Sequence, residues 1–298
     1  MTSLGIAIAA ATVLTLVAGF FLNKRSKFPL YGWLGMGLLA AAYVLLFRGV
    51  RVVGVYFTPI AWTADILIVD AAVLAMTGRS RLHDEPGRFL LTALLSIPLW
   101  LVFEVYNLRL QNWTYVGVPK NEAAALLGYA WSFATITPGI FEAADLVEAF
   151  GWFKRARPVK FSRAGEGVMI ALGAACLVVP VALPARIGAY LFALVWAGFV
   201  LLLDPINRRL GLESLLGDLA EGRRSRLYSL LASGWICGWL WESWNYWASA
   251  KWHYTFPMFQ DIKIFEMPAP GFLGFLPFAL ECFTMWVTLE WVVKRMTE

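Results

Sequence analysis

The sequence predicts an all-α protein, a polytopic transmembrane helical bundle of about nine helices, internally duplicated as two parallel repeats of about four helices. Three observations predict it. Hydrophobic side chains make up 60% of the chain and charged ones 15%, with a mean hydropathy of +0.65, whereas a soluble domain is nearer a quarter charged. Apolar windows of about 20 residues, the length that crosses a bilayer as a helix, recur along the chain. One pattern of polar and aromatic residues occurs twice. The polar stretches between windows are too short to fold alone, since domains usually need at least ~50 residues, so residues 1–298 form a single membrane domain.

The windows fall near 4–22, 30–48, 54–77, 89–108, 132–153, 165–183, 187–205, 227–247 and 271–293. The first is uniformly apolar. Uncharged Met1-Thr2-Ser3 leads it and Lys24, Arg25 and Lys27 follow it, the reverse of a cleavable signal, so it is expected to stay as a helix. The second and third flank Arg48 and Arg51, a short connection. The fourth begins after Arg88 and carries Glu104, and the fifth carries Glu142. The sixth and seventh are joined by a short link holding Arg186. The eighth starts after Arg226 and carries Glu242, and the ninth carries Glu281 and ends at Lys294 and Arg295. Lys and Arg are retained on the cytoplasmic side of a membrane. With the N-terminus outside, cytoplasmic segments hold the clusters at 24–27, 79–88, Lys154 to Arg163, 208–226 and 294–295, which together carry 18 of the 25 basic residues. The expected placement is therefore integral and multi-pass in a bacterial inner membrane, N-terminus outside and C-terminus cytoplasmic. The same basic loops explain the net charge of +5 without nucleic acid.

Self-comparison gives the duplication. One copy reads Glu104-x-x-Asn107, Trp113-x-Tyr115 and Pro138-x-x-x-Glu142; the other reads Glu242-x-x-Asn245, Trp252-x-Tyr254 and Pro277-x-x-x-Glu281. The offset is 138–139 residues, and 23 residues separate Tyr from Pro in both copies. Asp70 and Asp204 form a further pair at an offset of 134. Residues 1–27 are then an extra N-terminal helix, 28–160 the first repeat and 161–298 the second, related by a pseudo-twofold along the membrane normal. The half-polar stretches GVPKNEAAALLGYAW and FPMFQDIKIFEMPAP are expected to form short interfacial or re-entrant segments on the outer face.

Glu104 with Asn107, and Glu242 with Asn245, are three apart and share a helix face. Counting along the windows, Glu104, Glu142, Glu242 and Glu281 reach similar depth. A charge at the bilayer centre costs from ~3 to well over 10 kcal/mol, so such residues usually face the protein interior and act there. A carboxyl in an apolar pocket is a candidate general acid. The four glutamates are therefore the candidate catalytic residues, and Asn107, Trp113, Tyr115, Asn245, Trp252 and Tyr254 the candidate substrate-binding ones. Two plainer roles compete: Glu/Asn pairs tie helices together, and Trp or Tyr taken singly belongs to the headgroup belt. The prolines at 138 and 277 are expected to kink their helices and free a backbone carbonyl. Gly139, Gly271 and Gly274 would allow close approach. Cys176, Cys237 and Cys282 lie in apolar windows without CxxC spacing, and His83 and His253 are far apart, so neither a metal nor a cofactor is expected. Neither a P-loop nor a Gly-rich dinucleotide turn occurs.

The second copy, from Trp241-Glu242 through Trp252-His253-Tyr254 to GFLGFLPFALECF, resembles the membrane-integral lycopene cyclases of the paired-subunit or fused type and, more distantly, carotenoid hydratases. It differs from them in one place: Ala and Leu stand where that pattern has paired glutamates, and a single Glu281 follows Pro277 at the fourth position. The resemblance implies metal-free, proton-mediated cyclisation or hydration of a hydrophobic isoprenoid or carotenoid. The glutamates would supply and receive the proton, and the aromatic residues would line the cation site. Two other classes stay open. A proton-coupled transporter would use the same acids, with Asp70 and Asp204 continuing the path inward, and a non-catalytic subunit would hold lipid or pigment in a membrane complex. The expected partners are a membrane lipid or hydrophobic small molecule, with a homo-oligomer or membrane-complex partner left open.

Overall fold

The structure is a computed structural model that describes residues 1–153 and 156–297; Lys154 and Arg155, two of the basic residues used for orientation, and Glu298 lie outside the described residues. Two long helices, α1 (Thr2–Asn23) and α2 (Leu30–Phe47), lead into short α3 (Arg51–Val55), then α4 (Phe57–Thr77), short α5 (Arg81–Asp84) and α6 (Pro86–Leu110). Strand β1 (Trp113–Val116) precedes α7 (Glu122–Ala134) and α8 (Ile136–Ala149). The second half runs α9 (Arg163–Ala182), short α10 (Ala185–Gly188), α11 (Phe192–Arg209), short α12 (Leu215–Ala220) and α13 (Ser225–Trp247). Strands β2 (Lys251–Tyr254), β3 (Lys263–Ile264) and β4 (Met267–Pro268) follow, and α14 (Phe275–Thr297) closes the described chain.

Among the described residues, eight helical segments are long and apolar enough to cross a membrane, so the chain is an integral, multi-pass helical protein. The ninth expected span is helical over Ser225–Trp247, long enough at 23 residues, but its Trp, Tyr, Ser, Glu and Asn content leaves it outside that set. The reason is its position. Helix α13 packs against α8, α14, α1 and α4 and buries twelve of its residues, so protein surrounds it where the outer helices meet lipid, and polar side chains are tolerated.

The segment after β1 forms α7, capped by the Asn121 side chain accepting from the Ala124 N–H, and runs into α8 through a break at Thr135, so residues 122–149 make one segment of spanning length in place of a re-entrant loop. Pro138 lies three residues past that break, where a proline interrupts the helix and frees a carbonyl. Pro277 is instead the third residue of α14, in the first turn, where a missing N–H costs nothing. Ser96 of α6 bridges the break: its hydroxyl donates to the Phe133 carbonyl at 2.5 Å and accepts from the Thr137 N–H at 3.0 Å. The corresponding segment of the second half folds as the β3–β4 hairpin and a short 3-10 turn over Ala269–Gly274. Helix α1 closes on that hairpin, where Gly5 lies against Ile264 and Phe265.

The two halves meet in β1 and β2, which pair antiparallel: Trp113 with Tyr254, Thr114 with His253, Tyr115 with Trp252. Thr114 faces His253, its own counterpart at the repeat offset, and the flanking residues exchange partners. Such an exchange follows from antiparallel pairing centred on two equivalent positions. Helices α6 and α13 end at these strands and α8 and α14 begin near them, so one end of the bundle is the strand end.

Candidate functional site

Each strand is fixed to the helix before it by an asparagine. The Asn107 side-chain amide donates to the Trp113 carbonyl at 2.9 Å, and its Oδ1 accepts from the N–H groups of Asn112 and Trp113. Asn245 donates to the Trp252 carbonyl at 3.0 Å and accepts from the Trp252 N–H at 2.9 Å. Asn107 and Asn245 therefore hold backbone, and neither is in the lining of the aromatic cavity. With the strand anchored, the tyrosine two residues on reaches the glutamate one helical turn earlier: Tyr115 Oη donates to Glu104 Oε1 at 2.6 Å, and Tyr254 Oη to Glu242 Oε1 at 2.7 Å. Burial pushes both phenols well above their ordinary pKa, and the adjoining glutamate pushes them further, so each stays a proton donor.

The copies differ in how they treat the glutamate. Glu104 Oε1 also accepts from Trp100 Nε1 at 2.7 Å and Trp113 Nε1 at 3.3 Å, so three donors meet on one oxygen. Glu242 is fully buried. Its Oε1 meets only Tyr254, its Oε2 has no partner, and Trp252 Nε1 turns to the Tyr254 hydroxyl at 3.0 Å. Position 238, counterpart of Trp100, is glycine, which removes one donor.

A cavity of about 120 Å³ opens beside the strands. Of its 24 lining residues 13 are aromatic, and they include six of the fifteen tryptophans: Trp62, Trp100, Trp113, Trp196, Trp241 and Trp252. Both halves contribute. Tyr115 and Tyr254 lie in its wall, while Glu104 and Glu242 stand one hydrogen bond behind them. Trp241 is the hub, with ring centroids 6.3 Å from Trp100, 6.2 Å from Trp252 and 5.9 Å from Phe278. Thr58 Oγ1 and Trp62 Nε1 are buried there without a partner, and Lys251 is the lining cation. Gly139 and Gly274 do allow close approach: a Cβ at either would strike the ring of Trp62 or Trp196.

Glu142 and Glu281 are buried, and none of their carboxyl oxygens has a hydrogen-bond partner. They do not line the aromatic cavity. Asp70 and Asp204 are engaged at helix ends. Asp70 accepts from Tyr31 at 2.5 Å, from the Ser80 hydroxyl and from the Leu82 N–H; Asp204 accepts from the N–H groups of Leu215 and Leu216. Each caps the first turn of a short helix, α5 or α12, where backbone N–H groups attract a carboxylate.

Trp62, Trp196 and Trp100 were not singled out in the sequence, and the signals were present. The offset of 134 that relates Asp70 to Asp204 also relates Trp62 to Trp196, and Trp100 lies one helical turn before Glu104. Among the described residues, no three His, Cys, Asp or Glu side chains gather as metal ligands would. No family model, no curated protein and no solved structure matches the chain, so the chemistry of the aromatic cavity is read from its own residues.

Proposed function

We propose that the chain binds the unsaturated end of a hydrophobic isoprenoid or carotenoid-like molecule in the aromatic cavity and isomerises or hydrates it by metal-free proton transfer. The observation that carries this reading is the pair of Tyr–Glu units, Tyr254–Glu242 and Tyr115–Glu104, facing one tryptophan-lined cavity from the two halves. Its volume of about 120 Å³ compares with the ~150 Å³ apolar cavity that holds a benzene ring. That suits one end group of a long polyene, with the rest of the chain in lipid.

The proton balance follows from the asymmetry. The Tyr254 hydroxyl, turned from Glu242 Oε1 toward the cavity, gives its proton to a terminal double bond as Glu242, the singly hydrogen-bonded acid, replaces it. A new C–H bond forms from the π electrons and leaves a carbocation on the neighbouring carbon. Indole faces stabilise that cation through their quadrupoles. In cyclisation, the next double bond attacks the cation, and the ring loses a proton to Glu104 through Tyr115; the product has the mass of the substrate. If water attacks instead, the product is heavier by one water. With basic loops retained on the cytoplasmic side, the strand end faces outside and the C-terminus inside.

Expression in a bacterium that accumulates lycopene and related polyenes, with extracts analysed by liquid chromatography and mass detection, tests this. Wild-type chain is expected to yield a new peak of unchanged mass or one heavier by water, lost in Glu242→Gln and in Tyr254→Phe. Polyenes left untouched by well-expressed wild type would overturn it.

A further inference from the structure

At the end of the bundle opposite the strands lies a second cavity, about 160 Å³, that none of the predicted site residues lines. Its wall is charged: Arg81, Arg88, Asp145, Glu148, Glu213 and Arg226 face it together with Ser229. Ser229 is 1% exposed and its Oγ has no partner; Arg226 Nη1 is also buried and unpartnered. Buried polar atoms of this kind are satisfied by ordered water where a polar space is roomy enough, and about 160 Å³ is room for several molecules. Three arginines also lie over aromatic rings, Arg81 over Phe141 at 4.9 Å, Arg88 over Trp286 at 4.7 Å and Arg226 over Phe283 at 4.9 Å. Those rings also line the cavity, and Glu142 follows Phe141 directly in the chain.

The aromatic cavity reaches Ile136 on α8 and the polar one reaches Phe141, five residues on. That is roughly 7.5 Å of helix at 1.5 Å per residue. Glu142 lies beside this narrow barrier with both carboxyl oxygens unpartnered. Asp145, in the polar wall and paired with Arg81 at 2.6 Å, is three residues further along and so on the same helix face as Glu142. The other charged groups acting on Glu142 are Asp70 and Asp65 of α4 and Arg81 of α5; Asp70 is already committed to three donors. The second half lacks this stepping stone. Thr284 stands where Asp145 stands in the first, and its hydroxyl donates to the Glu281 carbonyl at 3.1 Å.

We infer that the polar cavity is a water-filled vestibule that exchanges protons with Glu142 by way of Asp145, and that Glu281 has no such connection. On the proton-transfer reading above, from which this step takes its purpose, Glu142 equilibrates the acids of the aromatic cavity with the far face of the membrane, supplying the proton that Glu242 spends and taking up the one that Glu104 gains in each turnover.

The test needs no substrate, so its failure and the failure of the polyene reading are separate results. In full-length protein with Cys176, Cys237 and Cys282 replaced by Ala, Ser229→Cys is expected to react with a small, charged, membrane-impermeant methanethiosulfonate reagent. Ser233→Cys, one turn further along α13 and fully buried, is expected to stay unmodified. Infrared spectra recorded after transfer to D2O should contain a protonated-carboxyl band that shifts quickly and is lost in Glu142→Gln, and a slowly shifting one lost in Glu281→Gln. Asp145→Asn should slow the first band only. An inert Ser229→Cys in folded protein, or equal exchange of the two glutamates, overturns the proposal; so does an Asp145→Asn variant that exchanges like wild type.

Discussion

Four glutamates of this chain, half-buried Glu104 and buried Glu142, Glu242 and Glu281, are separated by their hydrogen-bond donors. Glu104 has three donors and Glu242 one, whereas Glu142 and Glu281 have none. A buried polar group without a partner costs about 1–3 kcal/mol, so the last two lower stability. Replacing Glu281 by Leu is therefore expected to raise the thermal midpoint of the detergent-solubilised protein, by an amount equivalent to about 1–3 kcal/mol. A lowered midpoint would mean that Glu281 has partners in the folded protein. The opposite sign is expected for Tyr254→Phe. It leaves Glu242 Oε1 and Trp252 Nε1 without the hydroxyl they share, which should lower the midpoint by a similar amount and abolish polyene conversion.

Among the elements, the short β1–β2 ladder joins the two halves at the cavity, and its register decides which tyrosine meets which glutamate. In a chain freed of its own cysteines, Thr114→Cys with His253→Cys is expected to form a disulfide on mild oxidation, because directly opposed antiparallel residues lie about 4.5–5.5 Å apart at Cα, within the range for disulfides. Thr114→Cys with Lys251→Cys, out of register, should stay reduced. Asn245→Ala removes two hydrogen bonds that pin β2 to α13. Amide exchange at 251–254 should then quicken more than at α13, and the whole protein should lose about 1–3 kcal/mol. Position 117 is a further check on the same element. Its φ is +70°, and a Cβ there would sit 2.0 Å from the Ser249 carbonyl oxygen, so Gly117→Ala should disturb the connection between the halves.

For the whole molecule, the halves enclose two cavities of opposite character at opposite ends, the aromatic one nearer the strands and the charged one beside Arg88 and Arg226. Arg88 reaches across the repeat to Glu290 at 2.9 Å, so the charged end is also tied between halves. The placement proposed from the basic loops puts the strand end outside. Impermeant labelling of a cysteine introduced at Thr255, an exposed residue just past β2, is expected from the outer side of intact cells. Labelling only after lysis would reverse the topology and with it the side from which Glu142 draws protons.

Much of this was legible in the sequence. Helices of spanning length follow from apolar windows alone, because a buried or lipid-facing backbone must satisfy its own hydrogen bonds. The repeat spacing alone was enough to single out Glu104, Asn107, Trp113, Tyr115 and their counterparts. What the tertiary structure decided was their partnership. Spacing says that a Glu and an Asn share a helix face; it does not say that the Asn would be spent on strand backbone, that a tyrosine from the next element would cover the Glu, or that Asp70 and Asp204 would be capping groups. It distinguishes Glu104 from Glu242 only in part: glycine stands at 238 opposite Trp100, but packing decides that Trp252 turns to the Tyr254 hydroxyl. Periodicity and composition act along one chain, whereas hydrogen bonds and cavities depend on which elements arrive side by side.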